Sequence, residues 1–170
     1  MKTLIVIDVQ NDFVTGSLGT PEAQAIIPNV RKKIAEYRER KDKIIFTQDT
    51  HDSNYLETSE GKYLPVSHCI VGTDGWKIVD ELSNDEDIIV YKSTFGNLYW
   101  SKLVSQRDDT IEIIGLCTDI CVISNALILK AMFPNSKITV DASCCAGVTP
   151  ETHKSAIEVM KICQIDIIGE

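Results

Sequence analysis

Thr3-Leu4-Ile5-Val6-Ile7-Asp8 begins with strand-forming residues and ends on a carboxylate. Leu4–Ile7 is apolar without interruption, so both faces of the strand it forms must be covered. That pattern belongs to a parallel sheet held between helical layers. Five more β-rich runs follow, at Lys43–Phe46, Asp87–Tyr91, Thr110–Ile114, Lys137–Val140 and Ile165–Ile168. Between them lie stretches of helical spacing: Ile27–Arg40, Trp76–Leu82, Asn97–Ser105, Asp119–Met132 and Pro150–Cys163. In the first of these, Val30, Ile34 and Tyr37 form one stripe, and Arg31, Lys32, Lys33, Arg38 and Arg40 the other. Thr149-Pro150-Glu151 supplies an N-cap, a proline at the first helical position and an acid in the first turn. Strand and helix in alternation predict an α/β fold: a three-layer α/β/α, doubly wound, Rossmann-like arrangement around a six-stranded, mainly parallel sheet. Residues 1–170 read as one domain, with no repeat and no linker.

Of the 170 residues, 44% are hydrophobic and 25% charged, values of a soluble globular protein. Seventeen basic against twenty-five acidic side chains give a net charge of −8, which repels phosphate backbones and argues against a nucleic-acid partner. Apolar runs such as Leu4–Ile7 are too short to span a bilayer, and this one meets Asp8 before any small-residue cleavage site. It therefore reads as a strand and not as a signal peptide, and a cytoplasmic location is expected. The six cysteines, at 69, 117, 121, 144, 145 and 163, include no Cys-x-x-Cys pair. Neither a zinc ribbon nor a thioredoxin-type site is available, and reduced thiols are expected.

Ligands of open parallel sheets bind beyond the carboxyl ends of the strands. On this reading Asp8 ends the first strand, Asp49 and His51 follow the second, Lys92 the third, Cys121 the fourth and Asp141 the fifth. Gly115-Leu116-Cys117-Thr118-Asp119-Ile120-Cys121-Val122 turns from strand to helix, with Thr118 as N-cap and Cys121 in the first turn. Unpaired N–H groups and the helix dipole there favour a thiolate and can hold an oxyanion, although Asp119 competes for the dipole. Lys92 would lower the thiol pKa and Asp8 could accept its proton. Singly, the same residues also read as a buried thiol, a surface lysine and a solvated strand end.

A second set lies in the irregular polar segment Asp49–Gly75: Asp49-x-His51, Glu60 and His68. Carboxylate and imidazole ligands suit zinc, manganese or iron. These groups equally read as loop residues bonded to their own backbone. His153 reads as a surface residue, and Cys144-Cys145 as a buried strand-to-loop turn.

Five ordered motifs carry a family resemblance: Asp8-Val9-Gln10-Asn11-Asp12-Phe13, Thr47-Gln48-Asp49-Thr50-His51, His68-Cys69 followed by Gly72-Thr73-x-Gly75-Trp76, Tyr91-Lys92-Ser93-Thr94-Phe95, and Gly115 to Val122. Over nearly its whole length the chain resembles the isochorismatase-like cysteine hydrolases, and within them the nicotinamidase/pyrazinamidase group. The resemblance implies a catalytic Asp8, Lys92 and Cys121. It also implies a non-proline cis peptide at Leu116–Cys117 that aims the N–H groups of Cys117 and Cys121 at the substrate oxygen. Asp49, His51 and His68 match ligands of a divalent metal, with zinc expected and manganese or iron as alternatives. Glu60 matches a ligand position that some members fill with a second histidine. The metal there holds a ring nitrogen of the substrate, and Phe13 forms part of the pocket wall. The implied reaction is ammonia release from a small carboxamide, nicotinamide to nicotinate, through a thioester, in a homo-oligomer. Two departures stand out. Cys117 replaces a small alanine-like residue, and Tyr63-Leu64-Pro65-Val66-Ser67 lacks the tryptophan some nicotinamidases place before the histidine. Hydrolysis of another small amide or N-carbamoyl compound, and a non-enzymatic thiol-sensing or binding role, are the alternatives.

Overall fold

The computed structural model describes residues 2–105 and 110–170. In chain order its elements are β1 (Lys2–Ile7), α1 (Asn11–Val14), α2 (Pro21–Glu39), β2 (Lys43–Asp49), α3 (Ser59–Tyr63), β3 (Ile88–Lys92), β4 (Thr110–Leu116), α4 (Ile123–Met132), β5 (Lys137–Ala146), α5 (Pro150–Ile162) and β6 (Asp166–Ile168). The six strands form one sheet in the order β3-β2-β1-β4-β5-β6. Every neighbouring pair is parallel, so the expected mainly parallel sheet is parallel throughout. The chain enters at the centre, winds outward through β2 and β3, then crosses to β4 on the other side of β1. Winding therefore reverses between β1 and β4, where a crevice opens at the strand ends.

Side-chain alternation along β1 shows why its sequence is apolar throughout. Leu4 and Val6 pack with Ile26, Val30, Ile34 and Tyr37 of α2. Ile5 and Ile7 pack on the other face with Ala126 and Leu129 of α4 and with Ile157 and Met160 of α5. Helices thus cover both faces, giving the three layers, and each fully buried Leu or Ile contributes about 1.5–3 kcal/mol. Gly115 of β4 pairs beside Ile7 with φ +120°, and a Cβ there would lie 2.1 Å from the Ile7 carbonyl oxygen. Only glycine permits this approach, which draws the end of β4 against the end of β1.

Helix boundaries depart from expectation in definable ways. α2 begins at Pro21, well before Ile27, because Thr20 Oγ1 accepts a 3.0 Å hydrogen bond from the Ala23 amide. Trp76–Leu82 is not helical. Its backbone is tied to the loop after β1 instead, with Ile78 bridging Gln10 and the Val79 amide donating to Val9 O at 3.0 Å. Asn97–Ser105 yields only the tight turn Trp100–Lys102. There Asn125 Oδ1 accepts from the Asn97 amide and the Trp100 indole, tying the segment to α4. The segment after β4 starts as a wide turn over Thr118–Val122, with the Val122 amide reaching back to Cys117 O at 3.0 Å, and becomes α-helical at Ile123. Cys117, not Thr118, stands at its cap position. No helix among the described residues is long and apolar enough to cross a membrane.

Candidate active site

The chain leaves β1 at Asp8 with φ +48°, a left-handed conformation that aspartate tolerates better than most residues. Thr47 of β2 fixes it. The Asp8 amide donates to Thr47 Oγ1 at 3.1 Å, and that hydroxyl donates to Asp8 Oδ1 at 2.6 Å. Lys92 closes β3, two strands away, and its long side chain crosses the end of β2. Its Nζ lies 2.6 Å from Asp8 Oδ2 and 3.3 Å from Asp49 Oδ1. It also donates to Cys121 Sγ at 3.7 Å. Cys121 comes from the wide turn after β4, with its carbonyl held by Asn125 Nδ2 at 2.8 Å. Three separate stretches thus meet in one buried place, with Asp8 fully inaccessible. The Leu116–Cys117 peptide is cis, as the resemblance implies.

The expected lowering of the Cys121 thiol pKa is opposed within the site. Burial, reinforced by the Asp8 carboxylate, holds the Cys121 thiol well above the ordinary thiol range, although Lys92 pulls it down. Burial likewise raises the Asp8 pKa against the pull of Lys92. Desolvation of the buried thiol and the neighbouring carboxylates act against the helix end and Lys92. The Asp8 carboxylate is placed to take the proton of the sulfur. Cys117, at the mouth of the turn, is pushed up to about 12, chiefly by burial.

A cavity of about 890 Å³ opens over Cys121. Phe13 lines it as expected, together with Tyr55, Phe95, Leu116 and Ile120. In the same cavity Asp49, His51 and His68 bring one ligand atom each within 4.8 Å of one another. Glu60 Oε1 stands 3.8 Å from His51 Nε2 and 3.7 Å from His68 Nε2, so the fourth expected ligand is adjacent. His68 Nδ1 donates to the Val66 carbonyl at 2.8 Å, which leaves Nε2 as an acceptor turned toward the other donors. Tyr55 packs against both imidazoles at 4.7 and 4.8 Å. Two imidazole nitrogens and two carboxylates make a donor set that fits zinc, manganese or iron.

Some supporting residues escaped the sequence reading. Gln10 grips the Asp49 backbone from both sides, accepting from its amide at 2.7 Å and donating to its carbonyl at 2.9 Å. Asp12 Oδ2 accepts the Cys69 amide at 2.7 Å, fixing the residue after His68. Thr47, Gln10 and Asp12 all stand within the quoted motifs, and their polar character directly at strand ends was the available signal. Asp141 is a correction: it lies inside β5, not beyond it, and pairs with Lys33 of α2 at 2.9 Å, away from the crevice. The strand runs on to Ala146 because its register with β4 shifts between Ile113 and Gly115. Cys144 and Cys145 are accordingly buried strand residues. His153 is no simple surface residue either, since its Nδ1 meets Thr118 Oγ1 at 2.8 Å.

This geometry has counterparts. A nicotinamidase/pyrazinamidase of Mycobacterium tuberculosis is 25% identical over 186 residues, covering 99% of this chain and 98% of its own length. The crystal structure of a Pyrococcus horikoshii pyrazinamidase in complex with zinc superposes with a TM-score of 0.85 at 28% identity, covering 99% of both chains. An N-carbamoylsarcosine amidase from Thermoplasma acidophilum superposes with a TM-score of 0.80 at 25% identity, covering 99% of this chain and 96% of the other. Residues 2–169 match the Isochorismatase domain, and the chain belongs to that family.

Proposed function

We propose that this chain is a cysteine amidohydrolase that releases ammonia from a small carboxamide, with nicotinamide to nicotinate as the leading reaction. The observation that carries the reading is the position of Lys92 Nζ, 2.6 Å from Asp8 Oδ2 and 3.7 Å from Cys121 Sγ. It joins a base, a cation and a nucleophile at the floor of one cavity. Family membership and full-length relatives that hydrolyse amides support a hydrolase of non-peptide C–N bonds.

In this reading Asp8 takes the Cys121 proton as the sulfur attacks the carboxamide carbon. Lys92 stays charged and offsets the negative charge as it moves from carboxylate to sulfur. The backbone N–H groups of Cys117 and Cys121 hold the tetrahedral oxyanion. Collapse breaks the C–N bond, and ammonia leaves with the proton from Asp8. Asp8 then takes a proton from water as the water attacks the thioester. The C–S bond breaks, Asp8 returns its proton to the sulfur to give the free thiol, and the acid product loses its own proton to solvent and leaves as the carboxylate. Asp49, His51, His68 and Glu60 would hold a divalent metal, zinc by preference, which supplies a positive contact for a ring nitrogen of the substrate.

Cys121→Ala should abolish ammonia release from nicotinamide while the far-ultraviolet circular dichroism stays unchanged. Activity surviving that substitution would sink the assignment. The likeness to the Thermoplasma amidase favours a second reading, hydrolysis of an N-carbamoyl compound, which would release carbon dioxide together with ammonia.

A further inference from the structure

We propose that the site is built for neutral aromatic carboxamides larger than a single ring, and that it rejects amides carrying a carboxylate. The proposal rests on the amidohydrolase reading and goes further, to substrate class.

Size is the first argument. Pockets of about 300–1,000 Å³ take ligands of drug size, and this one, at about 890 Å³, stands near the upper end. Its chemical groups gather on the floor, where Cys121 faces the Asp49, His51 and His68 cluster. A one-ring amide spanning thiol and cluster leaves most of the remaining walls untouched. Leu18, Phe95, Ile120 and Val148 give those walls an apolar stretch, beside polar residues such as Asn54, Ser59, Ser93 and Thr94. At the rim, Phe95 is 47% and Val148 52% exposed, apolar surface that a fused ring or an apolar ring substituent would cover.

Charge is the second. Among the described residues no lysine or arginine lines the cavity, whereas Asp49, Asp52 and Glu60 do. The one nearby ammonium, on Lys92, lies beneath the floor and is already shared between Asp8, Asp49 and Cys121. With Asp49 and Glu60 engaged by the metal they would hold, a carboxylate on the substrate would find no basic side chain in the walls and would meet Asp52.

The test compares initial rates of ammonia release by the full-length protein with three compounds. They are nicotinamide, quinoline-3-carboxamide (the same ring nitrogen and amide with a fused second ring) and N-carbamoylglycine. The expected kcat/KM for the bicyclic amide exceeds that for nicotinamide by about tenfold, mainly through KM, and N-carbamoylglycine is the poorest of the three. Val148→Trp, which narrows the rim, should raise KM for the bicyclic amide about fivefold more than for nicotinamide. Nicotinamide turned over as well as or better than the bicyclic amide, or an unchanged KM ratio in Val148→Trp, overturns the substrate class and leaves the amidohydrolase standing. Preference for N-carbamoylglycine overturns it too. Cysteine-dependent ammonia release from none of the three overturns both readings.

Discussion

Thr47 and Asp8 hold each other through one hydroxyl, which accepts from the Asp8 amide at 3.1 Å and donates to Asp8 Oδ1 at 2.6 Å. That pairing leaves Oδ2 to Lys92 and sets the direction from which the base meets the sulfur. Thr47→Val keeps the shape and removes both bonds. A buried carboxylate oxygen without its donor costs about 1–3 kcal/mol, so the melting temperature should drop. With the base released from its orientation, kcat should fall about 10–100-fold. Thr47→Ser should restore most of both. Thermal melts and initial rates on the two variants decide the matter, and a Thr47→Val enzyme of undiminished kcat would remove the positioning role.

The raised pKa of Asp8 fixes the acid side of the pH profile. A base must be ionised to work, and burial moves its protonation above the usual aspartate range. As pH falls through that raised value Asp8 gains a proton and kcat/KM should decline, at a higher pH than an exposed aspartate would give. The thiol itself is held protonated, so no rise should track the titration of an ordinary free cysteine. Activity measured from acid to alkaline pH would show this limb, and Asp8→Asn should be inactive throughout.

Elemental analysis tests the histidine cluster independently of turnover. Protein dialysed against zinc or manganese and then against buffer should retain about one divalent ion per chain, as expected of a single mononuclear site. His68→Ala removes a ligand atom from the group formed with Asp49 and His51 and should lower retention at least about tenfold. Equal metal content in both proteins would place the ion elsewhere.

Beneath the opposite face of the sheet, Lys33 bridges Glu112 and Asp141 at 2.6 and 2.9 Å. Burial acts to raise the Asp141 pKa, but the hydrogen bonds from Ser143 and Lys33 outweigh it and hold the carboxyl below its usual value. A depressed folded-state pKa stabilises above the unfolded value, near pH 4, and that contribution disappears as pH falls through the folded one. Melting temperatures should therefore decline below about pH 4, and Asp141→Asn should lose stability at pH 7 while flattening the acid decline. An unaltered slope in the variant would assign the acid sensitivity to other carboxylates.

The four inner strands could be read because each is a run covered on both faces, and the edge strands β3 and β6, half-exposed, through their β-branched residues. Asp8, Lys92 and Cys121 could be placed at one sheet edge because each follows such a run. Helices were harder. Trp76, Ile78 and Leu82 mimic a helical stripe, yet Ile78 pairs with Gln10 and the Val79 amide with Val9, contacts made more than sixty residues back along the chain. Asn97–Ser105 was similarly captured by one distant side chain, Asn125. The upward push on the Cys121 thiol was out of reach because burial depends on every element packed around the sulfur. Asp141 was misplaced because a register shift between two strands has no counterpart in local hydrophobicity.

Strand order has a further consequence. The base hangs from β1, the cation from β3 and the nucleophile from the turn leaving β4, with β2 and β1 side by side between them. No contiguous fragment short of most of the chain contains all three. Catalysis should therefore vanish in step with global unfolding in a denaturant titration, so that turnover itself serves as a gauge of whether the sheet is whole.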